Sequence, residues 1–251
     1  MKFRFRAFAI HLISSATFLA LILGGLYLGW YRWPGWYLTD VTKVILVMIA
    51  VDVVLGPTLT FIVANNNKPR RELVRDLGII VVIQLCALTY GTLSLWGGRP
   101  LYYAFSESVL QQVQAYDIDN EEAKAGREQN PTLAPHWYSL PRWIWAPLPQ
   151  DADTRQKIVT SAVTGGDDVI SMPKYYRRWE DGIADLKAHL KKPDDVAYFA
   201  KSEKAKLKAK MKAAGFPDDQ PITMPLTGRG YPLLAVFDPK TLTIAALFRA
   251  K

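Results

Sequence analysis

Cysteine and histidine are the scarce residues: one Cys and three His occur in 251 positions. A single thiol closes no intramolecular disulfide, and three scattered imidazoles build no His-rich metal cage. A disulfide-stapled secreted domain and most zinc hydrolases are thereby disfavoured. No Walker A loop, GxGxxG, HExxH, CxxC or GxSxG occurs either, so the phosphate cradles, zinc-binding helices and nucleophile elbows that those patterns build have no signature here. Charge is also scarce, but only locally. Residues 1–98 hold nine of the 31 basic and four of the 23 acidic side chains, and residues 99–251 hold the other 22 and 19. A mean hydropathy near zero therefore averages a membrane-like part, 1–98, and a hydrophilic domain, 99–251. The net charge of +8 does not call for nucleic acid, because nine bases sit in or beside apolar runs, where they set topology.

Long apolar runs are what the first part has instead. A bilayer core about 30 Å thick takes about 20 apolar residues as a helix. Ala7 to Tyr31 and Leu77 to Gly98 carry no charged residue, and Val44 to Ala64 carries one, Asp52. Three transmembrane helices are expected at about 7–31, 44–64 and 77–98. The first run exceeds the 7–15 apolar residues of a signal peptide, and it ends in Trp30-Tyr-Arg-Trp-Pro-Gly-Trp-Tyr37. Trp30, Trp33, Trp36 and Arg99 are read as interface anchors. Placing the N-terminus inside puts seven loop bases (Lys2, Arg4, Arg6, Lys68, Arg70, Arg71, Arg75) in the cytoplasm and Arg32, Lys43 and Arg99 outside. The positive-inside rule then sets residues 99–251 in a periplasm, beyond a bacterial inner membrane. A cytoplasmic kinase, cyclase or nucleotide-binding module has no room in so short a loop.

Asp52 is the ionisable acid at membrane depth, where a charge costs about 2.5–3.5 kcal/mol on insertion scales. Counting about 12 Å from the outer end of its span sets it level with Thr89 and Tyr90, one of which is expected to hydrogen-bond it, with His11 near the opposite face. Its role is open between a structural carboxyl tying helices together, a polar docking site for a partner, and a proton or ion relay. Gly56-Pro57 is expected to kink the helix. Gly25 and Gly29 form a GxxxG pair for close helix approach, within the bundle or to a foreign helix. Cys86, in apolar surroundings, reads as an inert core residue.

In the hydrophilic part, Leu101–Phe105 reads as a strand, and Tyr231–Phe237 with Leu242–Phe248 as a hairpin around Asp238-Pro-Lys-Thr241. Ser108–Ala115 fits a helix or a strand. Helices are expected over Asp153–Thr164, Tyr175–Leu190 and Val196–Ala214. The fold class is thus a membrane protein: three transmembrane α-helices followed by an α+β extracytoplasmic domain with a small antiparallel sheet. Residues 130–149, with five prolines and three tryptophans, are expected to pack on this domain or rest at the membrane. Lys201, Lys204, Lys208 and Lys212 lie at helical spacing, as a solvated face or a contact to anionic groups. Gly165-Gly-Asp-Asp168 reads as a turn. Asp194-Asp195, Asp218-Asp219, His136 and His189 form no catalytic constellation, so no cofactor or metal is expected and the chain does not read as an enzyme.

Four blocks in order carry a resemblance: Gly29-Trp-Tyr-Arg-Trp-Pro-Gly-Trp-Tyr-Leu38, Asp52-Val-Val-Leu-Gly-Pro-Thr-Leu-Thr60, Arg70-Arg-Glu-Leu-Val-Arg-Asp-Leu-Gly78 and Gly98-Arg-Pro-Leu-Tyr-Tyr-Ala-Phe105. Over its first 110 residues the chain resembles the type IV pilin accessory proteins of Gram-negative bacteria, the TfpX/TfpZ type. The resemblance implies a non-enzymatic inner-membrane factor that assists or modulates a pilin before or during pilus assembly. A pilin subunit, one apolar helix with a globular head, would meet the spans around Asp52, Gly56, Pro57 and Tyr90 and the exported domain. Other pilus-assembly proteins and membrane lipid are further expected partners, and nucleic acid is not. Two alternatives stand beside this: a small transporter or channel subunit using Asp52, and an envelope-modifying enzyme whose site gathers His136 with distant carboxylates.

Overall fold

A computed structural model describes residues 1–65 and 68–250. The chain forms two compact units: Met1–Arg32 with Asp40–Gly98, and Trp33–Thr39 with Arg99–Lys251.

The first unit is helical. Helix α1 (Lys2–Leu26) continues through a π-helical turn at Tyr27–Tyr31. Helices α3 (Thr42–Ile49) and α4 (Gly56–Val63) are joined by a π-helical stretch, Ala50–Leu55, into one long helix, and α5 spans Arg70–Gly97. All three long helices, Lys2–Tyr31, Thr42–Val63 and Arg70–Gly97, are long and apolar enough to cross a membrane. They start earlier than hydropathy alone predicts, because the charged residues at their N-terminal ends stay helical. The wide turn has a local cause. Pro57 lacks an N–H and its ring crowds the carbonyl four residues back, so the helix loosens before it, and the Thr58 hydroxyl donates to the Val54 carbonyl at 2.6 Å.

The inward stripe of α5 is Ile80, Gln84, Leu88, Gly91 and Leu95, all buried, at the 3–4 residue spacing of one helix face. Gly91 allows the second helix in: a Cβ there would lie 2.6 Å from Cγ of Met48. At one end Phe5 and Phe8 meet the Phe61 ring. At the other, Trp30 packs edge-on against Trp96 at 4.9 Å and the Tyr31 hydroxyl donates to the Leu95 carbonyl at 2.6 Å.

The second unit is α+β around a seven-stranded sheet. Its strands are β1 (Pro100–Ser106), β2 (Val109–Gln114), β3 (Arg142–Trp145), β4 (Arg177–Arg178), β5 (Thr223–Thr227), β6 (Leu233–Phe237) and β7 (Ile244–Arg249). They lie in the order β4-β3-β1-β2-β5-β6-β7. The expected β6–β7 hairpin is antiparallel, as are β1–β2, β3–β4 and β5–β6, but β1 with β3 and β2 with β5 pair parallel, so the sheet is mixed and larger than the small antiparallel one expected. The extra strand β3 comes from the Pro-rich stretch, where Arg142-Trp-Ile-Trp145 fits between Pro141 and Pro147. Ser108–Ala115 resolves as strand β2.

Strand β1 is buried along its whole length, as a continuous apolar run in a central strand should be. Its alternate residues feed two cores: Tyr103 and Phe105 join Leu110, Leu186 and Leu226, while Tyr102 and Ala104 join Ile144, Ile158 and Tyr176. The same period-2 rule splits β6, whose Leu234 and Val236 meet Leu207 and Met211. Short helix α2 (Gly35–Thr39) belongs to this unit, with α6 (Asn120–Gln129), α7 (Ala152–Val163), α8 (Ile183–His189) and α9 (Lys201–Ala213).

Two expected helices are shorter than their patterns. Over Tyr175–Leu190 only α8 is α-helical, because Arg177 and Arg178 pair with Trp145 and Ile144 as an edge strand. Gly182 then packs so closely on Trp145 that a Cβ would lie 2.5 Å from its ring. Over Val196–Ala214 the helix starts at Lys201, where the Glu203 carboxylate accepts the Ala200 N–H at 2.9 Å, and Val196 and Phe199 instead fill the core.

Candidate functional site

Asp52 lies in the π-helical turn and is 4% exposed. Gln84 reaches it from α5, its Nε2 donating to the Asp52 main-chain carbonyl at 3.2 Å. Among the described residues, Oδ2 of Asp52 has no hydrogen-bond partner. His11, Ser14 and Ser15 of α1 face the same point across a cavity of about 250 Å³ walled by Phe18, Leu85 and Leu88. His11 Nδ1 and Thr60 Oγ1 share a hydrogen bond of 2.5 Å. Chemically this is a polar cleft in an apolar wall, with a carboxyl at its floor and hydroxyl, amide and imidazole groups around it.

The structure puts the sequence-derived site residues in different places. Asp52, Gly56 and Pro57 are together and buried. Thr89 and Tyr90 are exposed, Tyr90 at 77%. Depth alone pointed to them, but each residue turns a helix by about 100°. With Leu88 facing inward, the next two positions face away, and the contact falls to Gln84. Tyr90 instead borders a separate apolar groove of about 310 Å³ with Lys43, Met48 and Gly91. His11 is not at the opposite face: α1 begins at Lys2, so nine residues carry it about 14 Å along the helix. A Cβ on Gly25 or Gly29 would meet nothing within 4 Å, whereas one on Gly56 would overlap the Gln84 side chain. The close approach in this unit is thus made at Gly56 and Gly91. Cys86 is exposed on the outer face of α5 rather than packed in a core.

Sequence reasoning missed Gln84, His11, Ser14 and Ser15. A signal existed: Gln84 is the one amide between Leu77 and Gly98, and it stands four residues from both Ile80 and Leu88.

Among the anchors, Trp30 packs edge-on in the helical unit as described, while Trp33 and Trp36 belong to the second unit. There the Arg249 guanidinium lies 4.4, 5.5 and 4.6 Å from the ring centres of Trp33, Trp36 and Tyr37. Arg99 is buried, and its carbonyl accepts the Ala115 N–H at 3.0 Å. Leu38 is fully buried, and its carbonyl accepts the Gly230 N–H at 2.7 Å. Gln112 ties α2 further, its Nε2 donating to the Gly35 carbonyl at 3.1 Å and its Oε1 lying 3.0 Å from the Thr39 hydroxyl.

A polar cleft of about 390 Å³ in the second unit is bordered by Asp117, Asp167, Asp168, Ser171 and Arg229. Arg229 pairs with Asp117 at 3.0 Å and covers the Tyr116 ring. Gly165, with φ of +84°, turns the chain after α7, and the Asp168 side chain accepts the N–H of Val169 to cap the 3-10 turn Val169–Ser171. His136 stacks on Tyr138 away from that cleft, and His189 Nδ1 lies 2.8 Å from the Asp185 carbonyl. Lys208 pairs with Asp194 at 2.7 Å. Among the described residues, no group of three or more His, Cys, Asp or Glu could hold a metal ion.

Comparison with known proteins gives a consistent group. The chain is 29% identical over 161 residues to the fimbrial assembly protein of serogroup I of Dichelobacter nodosus, covering 63% of this chain and 60% of that protein. It is 32% identical over 109 residues to the fimbrial assembly protein of serogroups C1 and C2 of the same organism, covering 43% of this chain and 83% of the relative. The serogroup E1 protein is 27% identical over 161 residues, with 63% and 60% covered. The chain thus spans three-fifths of the length of the serogroup I and E1 relatives. No protein-family model and no solved structure matches.

Proposed function

Because the chain belongs to the family of these fimbrial assembly proteins, we propose that it is a non-enzymatic accessory factor of the TfpX/TfpZ type. On this reading it resides in a bacterial inner membrane and assists or modulates a type IV pilin before or during pilus assembly. The N-terminus lies in the cytoplasm and residues 99–251 lie in the periplasm, as the seven loop bases favour. The observation that carries the reading is a helical unit with membrane-length apolar helices joined in one chain to a hydrophilic α+β unit. A pilin held by one apolar helix below a globular head offers a matching surface to each.

The test is photo-crosslinking in the native host with probes at Leu55, 50% exposed on the helical unit, and Trp137, 72% exposed on the second unit. Pilin identified by mass at either probe is the expected result; capture of no pilin at both sites overturns the proposal.

A further inference from the structure

We infer that the cleft between α1 and α5 seats one foreign membrane-spanning helix, which brings a hydrogen-bond donor to Oδ2 of Asp52. The starting point is the orphaned oxygen. Asp52 is 4% exposed and, among the described residues, its Oδ2 has no partner, a state that costs several kcal/mol in a medium without water. Asp52 lines the cleft rather than sitting in packed core, so a small shift of the lining side chains lets its partner come from outside the chain.

The shape of the cleft selects a helix. Its lining runs from His11 to Phe18 on α1 and from Val81 to Leu88 on α5, seven residue steps on each side. At 1.5 Å per residue this is about 10 Å, two turns of contact. Ser14 and Ser15 are small, which lets another backbone come close, and hydroxyls can bond across such an interface. On either side the surface is apolar and exposed, with Ile10 and Leu21 on α1 and Val82 and Leu85 on α5.

Depth and size argue against a lipid. Asp52 stands ten residues from Thr42 and eleven from Val63, about 15 Å from either end of its helix, so it lies at mid-bilayer, where acyl chains carry no donor and headgroups do not reach. A volume of about 250 Å³ admits a side-chain tip and is below the range of ordinary ligand pockets. The occupant is therefore a helix carrying a hydroxyl, amide or ammonium among apolar residues. Naming that helix as the pilin's rests on the proposed function.

The test uses the full chain in its native host with a photo-crosslinking residue at Leu85, and a second at Trp137. Each is placed in the parent, Asp52→Leu and Ser14→Leu backgrounds; Ser14→Leu fills the cleft and leaves the carboxyl in place. The expected result is pilin captured at Leu85 through its apolar segment, with at least a fivefold loss in both variants while capture at Trp137 persists. Lipid alone at Leu85, or pilin capture there that neither variant changes, overturns the cleft assignment. If Trp137 still captures pilin, only the cleft assignment falls; if neither probe does, the accessory reading falls with it.

Discussion

The side chain of Gln84 lies against the bare backbone of Gly56 and, from there, donates to the main-chain carbonyl of Asp52 at 3.2 Å. A methyl at Gly56 would displace the amide, which is the flexible end of a side chain, so the helices need not part. Gly56→Ala is therefore expected to cost what losing that hydrogen bond costs, about 0.6–1.7 kcal/mol between membrane helices. Gln84→Ala should cost a similar amount, and the double variant no more than either alone, because the two changes break one contact. Reversible unfolding of the full chain in mixed micelles measures this cycle. Additive losses would mean that Gly56 packs against something other than the amide.

Leu38 shows a different kind of dependence. It is fully buried in the core of the second unit, although it lies between the first two long helices in sequence. Leu38→Ala is expected to destabilise that unit by about 2–5 kcal/mol, the range for a leucine removed from a packed core. Gly228→Ala should also be costly, by about 1–3 kcal/mol, because its Cβ would lie 2.5 Å from the Leu38 carbonyl oxygen, and main chain cannot swing aside as Gln84 can. Proteolysis across a urea series, following the fragments of the second unit, reads both. An unchanged midpoint in Leu38→Ala would show that α2 merely rests on the surface.

Arg249 closes the same region from the other end of the chain. Its guanidinium stands 4.4 Å from the Trp33 ring centre and 4.6 Å from that of Tyr37. Arg249→Ala is expected to lose about 1–2 kcal/mol. Arg249→Lys keeps the charge without the planar group that stacks on rings and should recover only part of it. The same urea series compares them, and equal stability of all three proteins would remove the ring contact from the account.

These contacts explain what was legible in the sequence and what was not. Apolar runs announce membrane-length helices because length and hydropathy are local properties, and short apolar runs bounded by turn residues announced β1 and the β6–β7 hairpin for the same reason. The partner of Asp52 needed a second coordinate. Depth pointed to Thr89 and Tyr90, while the azimuth set by Ile80, Leu88, Gly91 and Leu95 selects Gln84. Two features were out of reach. Trp33–Thr39 looked like an interfacial aromatic cluster, and only contacts with Gln112, Gly230 and Arg249, more than 70 residues away, reveal it as part of the α+β unit. Strand β3 was hidden by the five surrounding prolines, and it exists because Arg142–Trp145 can pair with a strand already buried.

Alkaline pH should unfold the second unit at a point set by its tyrosines. Tyr102 and Tyr103 stand side by side in β1, and burial pushes both phenols up to about 12 from the ordinary 10.0. Burial also holds Tyr176 well above that ordinary value. The sign follows from which form the fold keeps. The neutral phenol is retained in the folded state, and the Tyr102 hydroxyl donates to the Leu133 carbonyl at 2.7 Å, a bond that needs its proton. Between pH 10 and 12 the unfolded chain loses protons that the folded chain holds. Stability is therefore fully present below about pH 10 and is lost as pH rises toward 12, by up to about 3 kcal/mol for each of the two rings. Urea midpoints taken from pH 9 to 12 should stay flat and then fall, with phenolate absorbance at 295 nm rising together with unfolding. Tyr103→Phe is expected to make the fall shallower, since one fewer proton separates the two states. A midpoint already falling between pH 8 and 9, or a slope that Tyr103→Phe leaves unchanged, would assign the alkaline transition to other groups.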